Sequence, residues 1–499
     1  MSEHVEGPRA QEVNRLGTER IGKLLLEFSI PAIVSMIFNT LYNVVDTVVL
    51  FHAIGEVGAA VTTVALPVMT ILMGFSMIAG QGGNALAAIQ LGERKVNIVE
   101  KTLGNAATLL VVLAAIIAFI GIFFMDPILS VVGTPTDIWA ETKTFVTIIC
   151  VGFVFQSLGM GLNNFLRTAG KPNFALATSV LGTVMCVVFN VLFVLVMGLG
   201  IAGSAFATLA GQLVGMIPVV WFFVASKNAP FHLKLSCCKP DFRLMGQILM
   251  LGLASFAMQV ASTVVGIVFN HVMNIYGSME PIGAEGALAA VGVAQKATTF
   301  VFALLVGLIM GAQPIIGFNY GAKSWQRVLS TLKWASITGV IIGTVFFILA
   351  HVVPDVIIGI FGVTDNLKGF AELALQIYTI FIPLVGYQIV GSSYFQSSGQ
   401  PIKAAVLELT RQVIFLIPMY IILPMVLPPI FGITGLMSVI IAIPVSDALA
   451  LIVTTVFVVF EVRKLRHWRD YGDGSGSDDG ADALPASDPR ALAGEGGAA

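Results

Sequence analysis

This sequence has little charge. Lys, Arg, Asp and Glu together supply 11% of its 499 residues, against roughly a quarter in soluble chains, while 57% of positions are hydrophobic and the mean hydropathy is +0.93. That balance argues against a cytosolic enzyme or a secreted domain. With a formal net charge of −2 and no Lys/Arg stripe carrying interleaved aromatics, a nucleic-acid partner is not expected. Cysteine is scarce too: Cys150, Cys186, Cys237 and Cys238 cannot form a disulfide framework for a chain of this length. Zinc-ligand spacing, a GxxxxGK[ST] phosphate loop and a nucleophile elbow are all missing, so no metal, cofactor, ATP or enzymatic chemistry is expected. Met1 to Gly22 lacks the apolar core and small-residue cleavage site of a signal peptide, and its retention is expected.

What the sequence has in abundance is long apolar runs. From Lys23 onward, twelve stretches reach or exceed the ~20 residues that cross a ~30 Å hydrocarbon core: 24–51, 57–90, 102–125, 140–165, 173–197, 201–226, 244–276, 287–317, 328–357, 370–395, 403–427 and 432–461. Placing the N-terminus in the cytosol puts 23 of the 26 Lys and Arg residues on cytosolic segments, Arg411 being counted among them. Only Lys143 and Lys368 fall in outer loops, and Lys296 falls inside a span. The expectation is a multi-pass protein of the plasma membrane with both termini cytosolic. After Asp470 the chain turns to Gly, Asp, Ala, Ser and Pro, a composition too polar to fold, and residues 467–499 read as a disordered tail.

The apolar region is duplicated. Gly82-Gly83-Asn84 and Gln90-Leu91-Gly92 match Gly311-Ala312-Gln313 and Asn319-Tyr320-Gly321 at a displacement of 229, which also carries Gly170-Lys171-Pro172 onto Gly399-Gln400-Pro401. Gly200-Ile201-Ala202-Gly203 matches Gly432-Ile433-Thr434-Gly435 at 232. Six spans per half is an even number, so the halves enter the membrane the same way and are related by an axis along the membrane normal. The expected fold is an all-α integral membrane protein of twelve transmembrane helices in two six-helix bundles with that pseudo-two-fold symmetry. Its divisions are a cytosolic segment 1–22, a first lobe 23–226, a linker 227–243, a second lobe 244–466 and the tail 467–499. Two bundles facing one another leave a cleft that rocking can open to either side.

An ionisable residue inside a span is costly, by ~2.5 kcal/mol or more at the centre, and is a functional candidate by default. Asp46 lies in the outer part of span 1, one helical turn from Tyr42 on the same face. At ~1.5 Å per residue, Asp46, Asn190 of span 5 and Thr208 of span 6 fall at comparable heights and can converge on one polar pocket. Lys296 of span 8 and Asp447 of span 12 are expected to face each other inside the second bundle, as an ion pair or as a contact for an anionic substrate group. Glu408 and Arg411, one turn apart, suit a helix-surface ion pair near the cytosolic face. The glycines of GQGG and GAQPIIG permit close helix contact.

Several segments together resemble a known family. They are IPAIVSMIFNTLYNVVDTVVL (30–50), GQGGNALAAIQLGER (80–94), LNNFLRTAGKPNFA (162–175), GLASFAMQVASTVVGIVFN (252–270), GAQPIIGFNYGAK (311–323), SSYFQSSGQP (392–401), RQVIFLIP (411–418) and PVSDALA (444–450). This set is similar to the multidrug and toxic-compound extrusion (MATE) family, in particular its MepA-like branch. The resemblance implies secondary active efflux of amphipathic, often cationic small molecules, driven by H⁺ or Na⁺, with the span-1 acid, here Asp46, as coupling residue. The pattern also departs from the family's. Where many members carry Asn-x-x-x-Asp in span 5, this chain has Cys186 and Asn190; a span-7 glutamate of some members is Gln259 here, and the position matching Asp46 in the second half is close to the neutral Asn270. With one acid missing, coupling through Asp46 alone is favoured, with H⁺ preferred over Na⁺ there. Gln259, Asn270, Lys296, Asp447 and Met258 are the substrate-cavity candidates, and a monomer suffices for the mechanism. The rival readings are a lipid-linked saccharide flippase of the same superfamily, which should have extra spans and a strongly cationic cavity, and a receptor or channel, which should have a polar pore ring.

Overall fold

The computed structural model describes residues 15–360 and 365–472, and they are helical almost throughout. Long apolar segments in lipid must satisfy every backbone N–H and C=O internally, and the α-helix does so within one segment. The spanning helices are α1 (Ile21–Ile54), α2 (Glu56–Gly92), α3 (Val96–Phe123), α4 (Trp139–Thr168), α5 (Pro172–Val196), α6 (Gly200–Ala225), α7 (Phe242–Gly277), α8 (Gly283–Gly321), α9 (Trp325–Val352), α10 (Leu367–Thr379 with Ile382–Ser397), α11 (Pro401–Phe431) and α12 (Gly435–Tyr471). Eleven qualify as single spans and the bent α10 makes a twelfth.

The structure amends four expectations of detail. The span expected as continuous over 370–395 is bent by 43° after Thr379; Pro383, at the start of the second piece, lacks an N–H and crowds the preceding turn. Short helices at Met125–Val132 and Pro354–Ile360, 229 residues apart, replace the expected loop after α3 and the end of span 9. Helix α12 continues to Tyr471, past the expected start of the tail; residues 473–499 lie outside the described residues, as do 1–14. Residues 15–20, expected to be part of a polar lead-in, are docked against the second half. Leu16 is buried, Arg327 Nη2 donates to the carbonyls of Leu16 (3.0 Å) and Glu19 (2.8 Å), and Asn319 Nδ2 donates to Leu16 as well (3.0 Å).

Helix pairings repeat between the halves. In the first, α1 packs on α5, α2 on α4, α3 on α4, and α6 on both α4 and α5; in the second, α7 packs on α11, α8 on α10, α9 on α10, and α12 on both α10 and α11. Backbone details follow the same register. Gly170 and Gly399 both have φ +77°, and the only non-glycine residues with positive φ among those described, Arg94 and Lys323, are again 229 apart. The linker after α6 lies along α3, where Lys234 Nζ meets Glu100 Oε2 at 2.6 Å and Asp241 N–H donates to Asn105 Oδ1 at 2.8 Å.

The halves meet through α1 on α8 and, by the pseudo-dyad, α7 on α2. Glycine makes these approaches possible. A Cβ on Gly92 would lie 2.0 Å from the Phe318 carbonyl oxygen, and one on Gly321 would lie 2.0 Å from that of Ile89, a reciprocal pair at equivalent positions. A Cβ on Gly252 would lie 1.9 Å from the Ile78 carbonyl oxygen, and one on Gly311 would lie 2.6 Å from the Ser29 backbone. Every hydrogen bond described between the halves falls toward the face carrying residues 15–20 and the end of α12, called here the terminal face: Ser29 Oγ to the Leu308 carbonyl, Ser255 Oγ to Gln81 Oε1, and the Leu16, Glu19, Asn319 and Arg327 set. Toward the opposite, far face the helices lose cover. Beyond Ser35, Leu50 is the only buried side chain among those described in α1.

Candidate functional site

The far half of α1 carries the one intramembrane acid of the first bundle's far side, and the structure gives it partners. Asn190 Nδ2 donates to Asp46 Oδ1 in a very close contact, and Ser204 Oγ donates to the same oxygen at 3.4 Å. One turn down α1, Tyr42 Oη and Thr208 Oγ1 are hydrogen-bonded at 3.1 Å. The four residues singled out in the sequence are thus drawn together from α1, α5 and α6. Ser204 was missed, although it stands one turn before Thr208 on the same face of α6.

Local packing explains why these helices come so close. Cys186 occupies the α5 position where an asparagine belongs to the family's pattern; its Sγ donates to the Thr208 carbonyl at 3.6 Å, and a Cβ on Gly211 would lie 2.2 Å from that sulfur. A small thiol opposite a glycine lets α5 and α6 touch and carries Asn190 up to Asp46. Asn190 is 1% exposed, and its Oδ1 is buried with no hydrogen-bond partner among the described residues. The pocket therefore pairs a carboxylate with an amide that has one acceptor left over. No group of three or more His, Cys, Asp or Glu side chains is placed to hold a metal ion among the described residues.

The second bundle departs from expectation. Asp447 does not pair with Lys296: Arg411 Nε donates to Asp447 Oδ1 at 2.7 Å, and Lys296 is exposed on α8. Nor does Arg411 pair with Glu408, which accepts instead from Ser392 Oγ at 2.5 Å. The expectation placed Arg411 near the cytosolic end of its span. In the structure it lies about ten residues into α11, inside the π-helical turn Thr410–Leu416, at a depth where the guanidinium turns to the nearest buried carboxylate. One cation therefore leaves the cytosolic side of the positive-charge tally. Of the remaining candidates, Gln259 lines the seam between the halves against Gly74, Met258 is half-buried beside it, and Asn270 is exposed toward the far end of α7. A hydrogen bond from Gln295 Nε2 to Tyr378 Oη (3.2 Å) adds polar lining from α8 and α10.

A family model described as MatE matches residues 31–192 and 254–422. The chain belongs to the MATE family. Membership makes it a multi-pass membrane transporter rather than an enzyme. Among curated relatives, a multidrug export protein MepA of Staphylococcus haemolyticus is 23% identical over 89% of this chain and 94% of its own length, and its Staphylococcus saprophyticus counterpart is 22% identical over 83% and 89%. Among solved structures, the MATE multidrug transporter DinF-BH, solved as a complex, superimposes with a TM-score of 0.80 at 30% identity, covering 90% of this chain and 98% of that one. An outward-facing multidrug resistance MATE transporter gives 0.83 at 20% identity over 92% and 99%. The family model begins at Pro31 of α1 and breaks off at Leu192 and again at Ile422, so it spans Asp46 and Arg411 but stops short of Thr208 and Asp447.

Proposed function

We propose that this MATE transporter exports amphipathic, cationic drug-like compounds across the plasma membrane in exchange for H⁺, by alternating access between two lobes, residues 23–226 and 244–466, with its termini in the cytosol. The observation that carries the coupling step is the Asp46–Asn190 pair. With Asp46 ionised, the amide donates to one carboxylate oxygen and its own Oδ1 is left without a donor. A proton on the other carboxylate oxygen supplies that donor and closes a two-bond acid–amide pair. Protonation thus satisfies a buried acceptor while removing a charge from a low-dielectric site. Substrate arriving with a positive charge competes for the ionised form, so proton and drug exclude each other at one carboxylate. Na⁺ is the less favoured ion because Asp46 is the only carboxylate in the pocket and its other neighbours are neutral.

Alternating access is supported by the one-sided seam: the lobes are laced together at the terminal face through Gly92, Gly321, Gly252 and Gly311 and carry no described hydrogen bond toward the far face. This corresponds to a cavity open to the exterior. In proteoliposomes, ethidium transport should follow an imposed pH gradient, and Asp46→Asn should abolish the gradient dependence. Equal transport by that variant, or dependence on Na⁺ alone, overturns the coupling; transport of no member of a broad cation panel overturns the substrate class.

A further inference from the structure

Arg411 sits about 15 Å along α11 from Pro401, half way across a ~30 Å core, where an arginine is rare and expensive. Its ion pair with Asp447 explains only part of the side chain. Asp447 takes the Nε edge alone, at 2.7 Å, and the two terminal amino groups have no hydrogen-bond partner among the described residues. Asp447 is sealed, its side chain 5% exposed, while that of Arg411 is 20% exposed and so remains reachable. The guanidinium carbon lies 4.9 Å from the centroid of the Phe302 ring, which comes from α8, one of the helices at the seam.

The internal duplication argues that this pair is not required to hold α11 against α12. The matched motifs place Arg411 opposite Gly182 at a displacement of 229, and Asp447 opposite Gly215 at 232. In the first bundle those two glycines touch, a Cβ on Gly182 lying 3.3 Å from the Gly215 Cα. The same crossing of the same fold is therefore made by bare backbone in one half and by a charged pair in the other. Lys296, exposed on α8 about 9 Å along the axis toward the far face from Phe302, adds a second cation. The two sites differ in make-up: an acid without a cation around Asp46, and two cations with two acids around Arg411, of which Asp447 is ion-paired to it and Glu408, one turn deeper, is bonded to Ser392.

We propose that Arg411, with Phe302 beside it and Lys296 above it, forms an anion subsite that takes the carboxylate or sulfonate of a zwitterionic aromatic amphiphile whose cationic end faces Asp46. The free edge of the guanidinium offers parallel N–H donors, the geometry that carboxylates accept, and the Phe302 ring provides a face for the aromatic body. This rests on the drug-export reading and narrows its substrate class.

The test uses purified full-length protein in lipid nanodiscs and two dyes that differ at one group: a cationic rhodamine ethyl ester and the corresponding free acid, which is zwitterionic. Fluorescence polarisation gives both affinities, and thermal unfolding monitors folding. The double variant Arg411→Gln/Asp447→Asn removes both charges together, so that neither is left buried alone. Its preference for acid over ester should fall about tenfold relative to the wild type, the size of one charge-assisted hydrogen bond. Lys296→Gln, at an exposed position, should lower the same ratio in the same direction and serves if the double variant does not fold. An unchanged ratio in the folded variants overturns the subsite. Failure of the wild type to bind the ester at all overturns the export reading instead.

Discussion

Replacing Gly92 by alanine should shift the protein away from the conformation described here. The added Cβ would stand 2.0 Å from the Phe318 carbonyl oxygen, whereas ordinary contact begins near 3.4 Å, so α2 and α8 must part by about 1.4 Å at the terminal face. Neither side yields easily, since the obstacle is backbone in the middle of a helix end. Overpacking of this kind typically costs ~1–3 kcal/mol. If that cost is borne only by the state in which the terminal face is closed, the ratio of the two access states moves by roughly 5- to 150-fold. Spin labels on cysteines placed at Val131 and Met279, both strongly exposed beyond the far ends of α3 and α7, read the opening of the far side. In a background without the native cysteines, Gly92→Ala should move the distance distribution to shorter values. Gly321→Ala should do the same to a similar degree, because its Cβ meets the Ile89 carbonyl at the same 2.0 Å. A wild-type distance distribution in both variants, with a lowered melting temperature, refutes the reasoning: the seam would then be fixed packing and not a gate.

Other outcomes follow from single contacts. Asn190→Leu removes the amide that bonds Asp46 and should cut pH-driven export at least tenfold while leaving the protein folded, measured as dye efflux and thermal unfolding. Arg327→Ala deletes donors to the Leu16 and Glu19 carbonyls and to Asn319; hydrogen exchange over residues 15–20 should rise sharply and the melting temperature should fall by a few degrees. A bulky maleimide should label the half-exposed Cys237 and Cys238 and leave the buried Cys150 and Cys186 untouched. Burial pushes the Cys238 thiol up, so its labelling should be promoted by alkaline pH.

Hydropathy made the spans legible, because a helix in lipid announces itself by length alone, and the duplicated motifs carried the pseudo-dyad. The Asp46 pocket was legible for a similar reason: depth along a spanning helix is nearly a linear function of residue number, so Asp46, Asn190 and Thr208 fell at one height. Contacts across helices were harder. Which cation Asp447 takes depends on helix rotation and on the π-helical turn at 410–416, neither of which hydropathy encodes, and so hydropathy points to Lys296 where the structure has Arg411. The Gly92–Phe318 approach has the same character. Its glycines were visible in the motifs, but the partner across the seam was not. The bend in α10 had a signal in Pro383 that a run of apolar residues on both sides concealed.

The docking of residues 15–20 has a bearing on how the molecule is handled and how it turns over. Covalently these residues lead into α1, yet Arg327 and Asn319 of the other bundle grip their carbonyls. A rearrangement that separated the bundles at this face would have either to strip residues 15–20 from that grip or to drag them along, so the tether resists such a separation. A tag fused ahead of residue 15 would load this tether at the terminal face.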